Sequence, residues 1–241
     1  MWYSRTGEGE PLLLLHPGSA DARAFDNIVP TLAQLFTCYL PERRGHGHTP
    51  DVEGAYDFNA VVDDKIAFIE TVIQGPVRVF GYSDGAIVAI MLAVKRPDLV
   101  SRLVCGSGVY HHDGWLSGVI DDSETPPDFM TEAYAEVSPD GKEHYAVVIK
   151  KLADAHRAQP AITNEELQRV LCRTLVILGD DDEVKLEHAL DWYRALPDGE
   201  LAIVPRTSHA LIVEKTELYL SIVADFLRNE PIETFAPIRR K

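Results

Sequence analysis

Short apolar runs alternate with amphipathic stretches along this chain. Leu12 to Leu15, Phe36 to Leu40, Val77-Arg78-Val79-Phe80, Leu99 to Cys105, Thr174-Leu175-Val176-Ile177-Leu178 and Leu201-Ala202-Ile203-Val204 are rich in aliphatic and β-branched side chains. Runs this short and this apolar fit strands buried on both faces. Between them, Phe58, Val62, Ile66, Ile69 and Ile73 recur at steps of three and four, which predicts an amphipathic helix. Ala86 to Lys95 reads as a helix apolar nearly all round, and another helix is expected to begin near Glu214. Strands alternating with helices predict an α/β fold, a mostly parallel sheet covered by helices on both faces.

From Tyr110 to about Val170 the pattern changes. Asp113-Gly114, Thr125-Pro126-Pro127 and Pro139-Asp140-Gly141 interrupt it, and two helices are predicted, roughly Asp128–Val137 and Lys142–Ala158. The chain thus divides into a core, residues 1–109 and 171–241, and an insertion, residues 110–170.

The chemistry is concentrated where predicted strands end. Gly81-Tyr82-Ser83-Asp84-Gly85 lies between the run at 77–80 and the apolar helix from Ala86. A serine between glycines at a strand-to-helix turn is a nucleophile elbow. A serine hydroxyl needs a base to take its proton and a carboxylate to orient that base. Both follow in order: Gly179-Asp180-Asp181-Asp182-Glu183 after one strand, and Thr207-Ser208-His209 after the next. His46 and His48 sit among glycines, where a turn-forming role is expected. His111, His112 and His144 share no ligand spacing with carboxylates or cysteines, so no metal site is expected.

With these stations in place, the chain resembles the α/β-hydrolase superfamily from Gly7 to about Asn229. Further landmarks are His16-Pro17-Gly18 after the first strand and Arg44-Gly45-His46-Gly47-His48-Thr49 after the second. The resemblance implies the α/β-hydrolase fold with a small helical cap at 110–170. Its Gly-x-x-Asp pattern falls on Gly179 and Asp182, giving Ser83, Asp182 and His209 as catalytic residues, with Asp181 the alternative acid and the rest of the run capping the next helix or binding the loop backbone. It implies an oxyanion hole from the amides of Asp84 and Gly18, with Ser19 as donor if the register slips by one. Ser19, Asp84, Trp115, Phe129 and Tyr145 are the candidate substrate-binding residues, with Met130 beside them. Ser83-Asp84 is also similar to the Gly-Trp-Ser-Asp-Gly-Gly elbow of the valacyclovir hydrolase group, with tyrosine for the tryptophan and Ala86 for the last glycine. In that group the aspartate binds a substrate ammonium; Asp84 would do the same here, or else serve only to start the elbow helix, where a negative side chain is favoured. Superfamily members usually carry antiparallel strands at the N-terminus, and Trp2-Tyr3-Ser4 is the candidate remnant of one, at a shortened sheet edge or a chain that starts late.

Composition narrows the partners. The chain has 241 residues, 46% of them hydrophobic, a length one α/β domain commonly reaches. A net charge of −15 argues against nucleic acid and anionic membranes, and no apolar run approaches the ~20 residues that cross a bilayer. No signal peptide is read at Met1-Trp2-Tyr3-Ser4, and Cys38, Cys105 and Cys172 suggest neither a disulfide scaffold nor a zinc site. The expectation is a cytoplasmic, cofactor-independent serine hydrolase, monomeric or homodimeric, acting on a small ester, thioester or lactone. The rivals are a ligand-binding protein on a hydrolase body, and a carbon–carbon bond hydrolase or perhydrolase using the same triad.

Overall fold

The computed structural model describes residues 1–120 and 126–237. Thr125, the first residue of one interruption noted above, lies outside them. Seven strands form one sheet: β1 (Tyr3–Thr6), β2 (Glu10–Leu15), β3 (Phe36–Pro41), β4 (Val77–Tyr82), β5 (Val100–Gly106), β6 (Arg173–Asp181) and β7 (Gly199–Ser208). Their order across the sheet is β1-β3-β2-β4-β5-β6-β7. Only the β1–β3 pair is antiparallel, with Tyr3 opposite Pro41 and Thr6 opposite Cys38. Trp2-Tyr3-Ser4 therefore does open onto an antiparallel edge strand.

The helices are α1 (Val29–Leu32), α2 (Phe58–Phe68), α3 (Asp84–Lys95), α4 (Asp128–Ala135), α5 (Tyr145–His156), α6 (Asn164–Leu167), α7 (Leu186–Ala195), α8 (Leu211–Glu214) and α9 (Thr216–Arg228). β2 shows why the strands read as unbroken apolar runs. Leu13 and Leu15 enter a core shared with α2 and α3, while Leu12 and Leu14 enter a second core shared with Phe25 and α9. Side chains alternate across a pleat, so a sheet covered on both faces needs an apolar residue at every position.

The helix predicted over 58–73 divides. α2 stops at Phe68, a π-helical turn covers Ile69–Ile73, and Gln74 in the left-handed region (φ 63°) ends it. Its buried face carries Phe58, Val61, Val62, Phe68 and, unexpectedly, Lys65. The Lys65 ammonium donates to the carbonyls of Pro41 and Glu42 at 3.3 and 3.1 Å, at the end of β3. Burial, with the charge of Arg43 nearby, pushes its pKa down to about 7. Charge is a poor guide to exposure where strand-end carbonyls offer the amine partners.

Parallel strands bring β4, β5, β6 and β7 to a common edge at their C-terminal ends, the usual site of chemistry in open α/β sheets. The segment between β5 and β6 lies over that edge and is tied to core loops by polar contacts. Tyr145 donates to the Ser19 carbonyl at 2.9 Å, Lys151 and His144 reach Asp51 at 2.6 and 2.8 Å, and Arg23 contacts Glu136 at 2.6 Å. Among the described residues, no helix is long and apolar enough to cross a membrane.

Candidate active site

Ser83 stands between β4 and α3 with φ 54° and ψ −121°, a conformation that residues with a Cβ seldom adopt. The flanking glycines allow it. A Cβ on Gly81 would strike the backbone of Gly85, and one on Gly85 would strike the Leu15 carbonyl of β2. The turn therefore holds the serine at a cavity wall, 8% exposed, at the start of α3.

β7 runs through Pro205 to Ser208, further than its apolar run suggests, and delivers His209 directly from its end. His209 Nε2 lies 3.0 Å from Ser83 Oγ, and its Nδ1 lies 2.8 Å from Asp182 Oδ1. Tyr82 steadies this loop by donating to the His209 carbonyl at 2.7 Å. Asp182 is buried, and its other bonds come from neutral donors. The Ser107 hydroxyl donates at 2.7 Å, and the amides of Gly179 and Val184 at 3.2 and 3.3 Å. Burial would raise this carboxyl's pKa, but the His209 bond, aided by the other donors, outweighs it and leaves it lowered. For His209, burial would lower the pKa, yet the bond to Asp182 and its charge leave it raised. A proton held on Nδ1 makes Nε2 the acceptor for the serine hydroxyl.

The aspartate run is sorted by the turn that follows β6. Asp180 and Asp181 are exposed; Asp180 accepts from the Thr207 amide at 3.2 Å, and Asp181 pairs with Ser208 in the ladder. Only Asp182 of the three meets His209 in this way. Glu183, which sequence reasoning did not single out, also lines the cavity, 3.8 Å from His209 Nδ1.

Asp84 holds a different position from the one its resemblance implied. Its side chain is buried, with Oδ2 3.2 Å from Arg43 Nη1 and Oδ1 2.7 Å from His156 Nε2. Each oxygen thus accepts from a group of the protein itself, so the carboxylate that the resemblance would offer to a substrate ammonium is here already paired with Arg43 and His156. Burial would raise its pKa, but His156 and then Arg43 hold it well below the usual carboxylate range. Arg43 also donates through Nη2 to the carbonyls of Pro17 and Gly18, at 2.6 and 3.3 Å. Across a trans peptide the N–H points opposite to the C=O. Arg43 therefore turns the amides of Gly18 and Ser19 away from itself. Gly18 sits so close to Asp84 that a Cβ there would collide with the carboxylate.

These groups share a cavity of about 390 Å³, lined by Pro17, Gly18, Ser19, Ala20, Ser83, Asp84, His209 and Glu183 from the core. Trp115, Met130, Leu152 and His156 come from the insertion. Of the candidate substrate residues, Ser19, Asp84 and Trp115 are on this wall. Phe129 and Tyr145 are not: they line a neighbouring cavity of about 320 Å³ with Tyr134, and Phe129 is 73% exposed. Phe129 falls on the outward side of α4, and the Tyr145 hydroxyl is spent on the Ser19 carbonyl, which separates both from the serine.

The remaining histidines behave variously. His46, expected to form a turn, is buried, with its pKa pushed down to about 4 by burial and by Arg43. His144 pairs with Asp51 at 2.8 Å. His111 and His112 stack and lie 3.6 and 3.3 Å from Asp113, bringing three potential ligands together where the sequence reading saw no shared spacing. His111 Nδ1 already accepts the Asp113 amide at 3.2 Å, as a turn cap does.

Besides Glu183, three contributors escaped the sequence reading: Arg43, Ser107 and His156. Ser107 carried one signal, lying between Gly106 and Gly108 at a strand end; its φ is 48°. Arg43 stood beside the Arg44-Gly45 landmark, but nothing marks which of two adjacent arginines turns inward. His156 belongs to no motif, because only the docking of α5 brings it to Asp84.

With this geometry in hand, the relatives are informative. The sequence profile of the Alpha/beta hydrolase family matches residues 12–220. The chain belongs to the alpha/beta hydrolase family. It is an enzyme of that superfamily, with esterase and hydrolase relatives. Human serine hydrolase BPHL is 27% identical over 246 residues, covering 94% of this chain and 82% of that protein. The pimeloyl-[acyl-carrier protein] methyl ester esterase of Nitrosospira multiformis is 24% identical over 261 residues, covering 95% and 98%. Among solved structures, the meta-cleavage product hydrolase CumD superposes with a TM-score of 0.80 at 22% identity over 93% of both chains. That likeness supports the fold, not the reaction.

Proposed function

We propose that this protein is a cofactor-independent serine hydrolase that cleaves a small ester, thioester or lactone through an acyl-enzyme on Ser83. The observation that carries the reading is the continuous relay from Ser83 Oγ through His209 to Asp182, with spacings of 3.0 and 2.8 Å. An esterase and a serine hydrolase among the full-length relatives accord with it.

In this reading Ser83 Oγ attacks the carbonyl carbon as His209 Nε2 takes its proton. The negative charge developing on the carbonyl oxygen meets the amide of Asp84, at the positive end of α3, and the amide of Gly18 or Ser19. The tetrahedral intermediate collapses, its leaving group takes the proton from His209, and the acyl group remains on Ser83. A water, deprotonated by His209, attacks the ester carbon, and the acid leaves as Ser83 regains its proton. Asp182 holds the imidazole in the working tautomer and stabilises it when charged. Residues 110–170 act as a cap on a core of residues 1–109 and 171–241, supplying Trp115 and Met130 to the acyl pocket.

A panel of esters, thioesters and lactones of varied acyl length, assayed with wild type and Ser83→Ala together, tests the reading. Turnover of at least one class, reduced by at least about 10³-fold in Ser83→Ala, is expected. Equal rates in the two proteins would overturn it in favour of a ligand-binding role.

A further inference from the structure

Asp84 is an unusual wall for a cavity. It follows the nucleophile in the chain, yet each of its oxygens is bonded from a different side. Arg43 comes from below, out of the loop after β3, with its side chain 1% exposed. His156 comes from above, in the last turn of α5 within the insertion, and lines the same cavity as Ser83. Its ring is wedged between Phe58 at 5.5 Å and Trp115 at 6.0 Å, so its place over Oδ1 is fixed by packing. Arg43 is held in the core, tied to the Pro17 carbonyl, and stays on Oδ2 whatever occupies the cavity. Asp84 and His156 both line the cavity, and the imidazole of His156 is the cavity-side partner of Oδ1, 2.7 Å from it.

We propose that His156 is a specificity-determining residue: by occupying Asp84 Oδ1 it denies that carboxylate to substrate, so the cavity rejects acyl groups bearing a cation near the carbonyl. An ammonium group entering the wild-type cavity loses water and finds Asp84 already paired with His156 and Arg43. Glu183, the other carboxylate on this wall, lies on the His209 side, 3.8 Å from its Nδ1. The combination costs affinity. A methyl group of the same size meets Trp115, Met130 and Leu152 and gains from burial. Removing the imidazole exposes Oδ1 beside the nucleophile and reverses the preference. The inference rests on the serine-hydrolase reading, but its test separates the two.

Ethyl butanoate and ethyl 3-aminopropanoate differ by a methyl against an ammonium near neutral pH. Their kcat/KM ratio would be measured in wild type, His156→Ala, His156→Gln and the double variant His156→Ala with Asp84→Asn. Wild type is expected to favour butanoate. His156→Ala should shift the ratio towards the amino ester by at least about tenfold, the strength of one charge-assisted hydrogen bond. The double variant should lose that shift, and His156→Gln, whose amide can still donate to Oδ1, should stay near wild type. A wild-type preference for the amino ester overturns the proposal even if no variant folds. So does an unchanged ratio in His156→Ala that still reacts with a fluorophosphonate at Ser83. Failure of Ser83→Ala to abolish turnover overturns the hydrolase reading instead, whatever the ratios.

Discussion

Two aspartate–histidine pairs meet at one cavity, Asp84, His156 and His209 on its wall and Asp182 behind His209, and they are built for different ends. Asp182 and His209 lie 2.8 Å apart; Asp84 and His156 lie 2.7 Å apart. Both carboxylates are buried and both are lowered in pKa. The difference lies in what surrounds them. Asp182 is solvated by a hydroxyl and two amides, neutral donors that leave its charge for the imidazole. Asp84 shares its charge with the Arg43 guanidinium. On the other side, His209 offers its second nitrogen to Ser83, whereas the ring of His156 is packed against Phe58 and Trp115. On the proposed mechanism a close His–Asp contact is insufficient for catalysis: the carboxylate must keep its charge, and the imidazole must reach a nucleophile.

The largest effect expected from breaking this asymmetry is at Asp182. Asp182→Asn should lower kcat by about 10⁴-fold, because His209 loses its tautomer and the partner of its charged form. Asp181→Asn, exposed and away from His209, should stay within about threefold. A reversal of those two results, read in the same ester assay, would move the acid by one residue.

The pairs should also differ in stability. Asp84→Asn leaves the Arg43 guanidinium buried and short of a counter-charge, for which breaking a buried pair typically costs about 3–5 kcal/mol. Denaturant unfolding of Asp84→Asn and of Asp182→Asn compares them, and a larger loss at Asp182 would count against the structural role given to Asp84. The linkage has a definite sign. A carboxylate lowered in the folded state adds stability above its unfolded pKa, near 3.8, and that stability fades as pH falls towards the folded value. Acid unfolding of the wild type should therefore be steeper below that pH than in Asp84→Asn.

The sequence made one pair legible and hid the other. Ser83 and His209 each follow a strand whose apolar run ends in a turn, so local pattern located both, and it located the aspartate run after β6; the register of the family resemblance singled out Asp182 within that run. Gly81 and Gly85 announced the elbow because only glycine fits there. His156 and Arg43 had no such mark. Their meeting depends on how α5 docks over the sheet edge and on which of two arginines turns inward, and both are tertiary choices. Lys65 is the same lesson within α2, where a periodic apolar face includes a charged residue because carbonyls wait at the end of β3. Phe129 shows the converse, an aromatic residue in the insertion that is largely exposed and lines the neighbouring cavity rather than the one at Ser83.

Smaller changes sharpen the contrast. Because its pKa is raised, His209 stays protonated, and unable to act as base, to a pH above the ordinary histidine value of 6.5. The acidic limb of the kcat/KM profile should fall above that value and move to lower pH in Asp182→Asn, as measured on a neutral ester. An acidic limb below 6.5 in the wild type would show that Asp182 does not hold its charge against the imidazole. Ser107→Ala removes one neutral donor from Asp182 and should cost no more than about tenfold in kcat, with the limb shifted slightly upward.

The most direct measurement is the rate at which a fluorophosphonate modifies the protein, with the adduct mapped by mass spectrometry. Wild type, His209→Gln and His156→Gln would be compared at equal folded concentration. The adduct should lie on Ser83, with the rate falling by at least about 10³-fold in His209→Gln and by less than about tenfold in His156→Gln. An adduct on another residue, or equal losses in the two variants, would contradict the division of labour between the pairs.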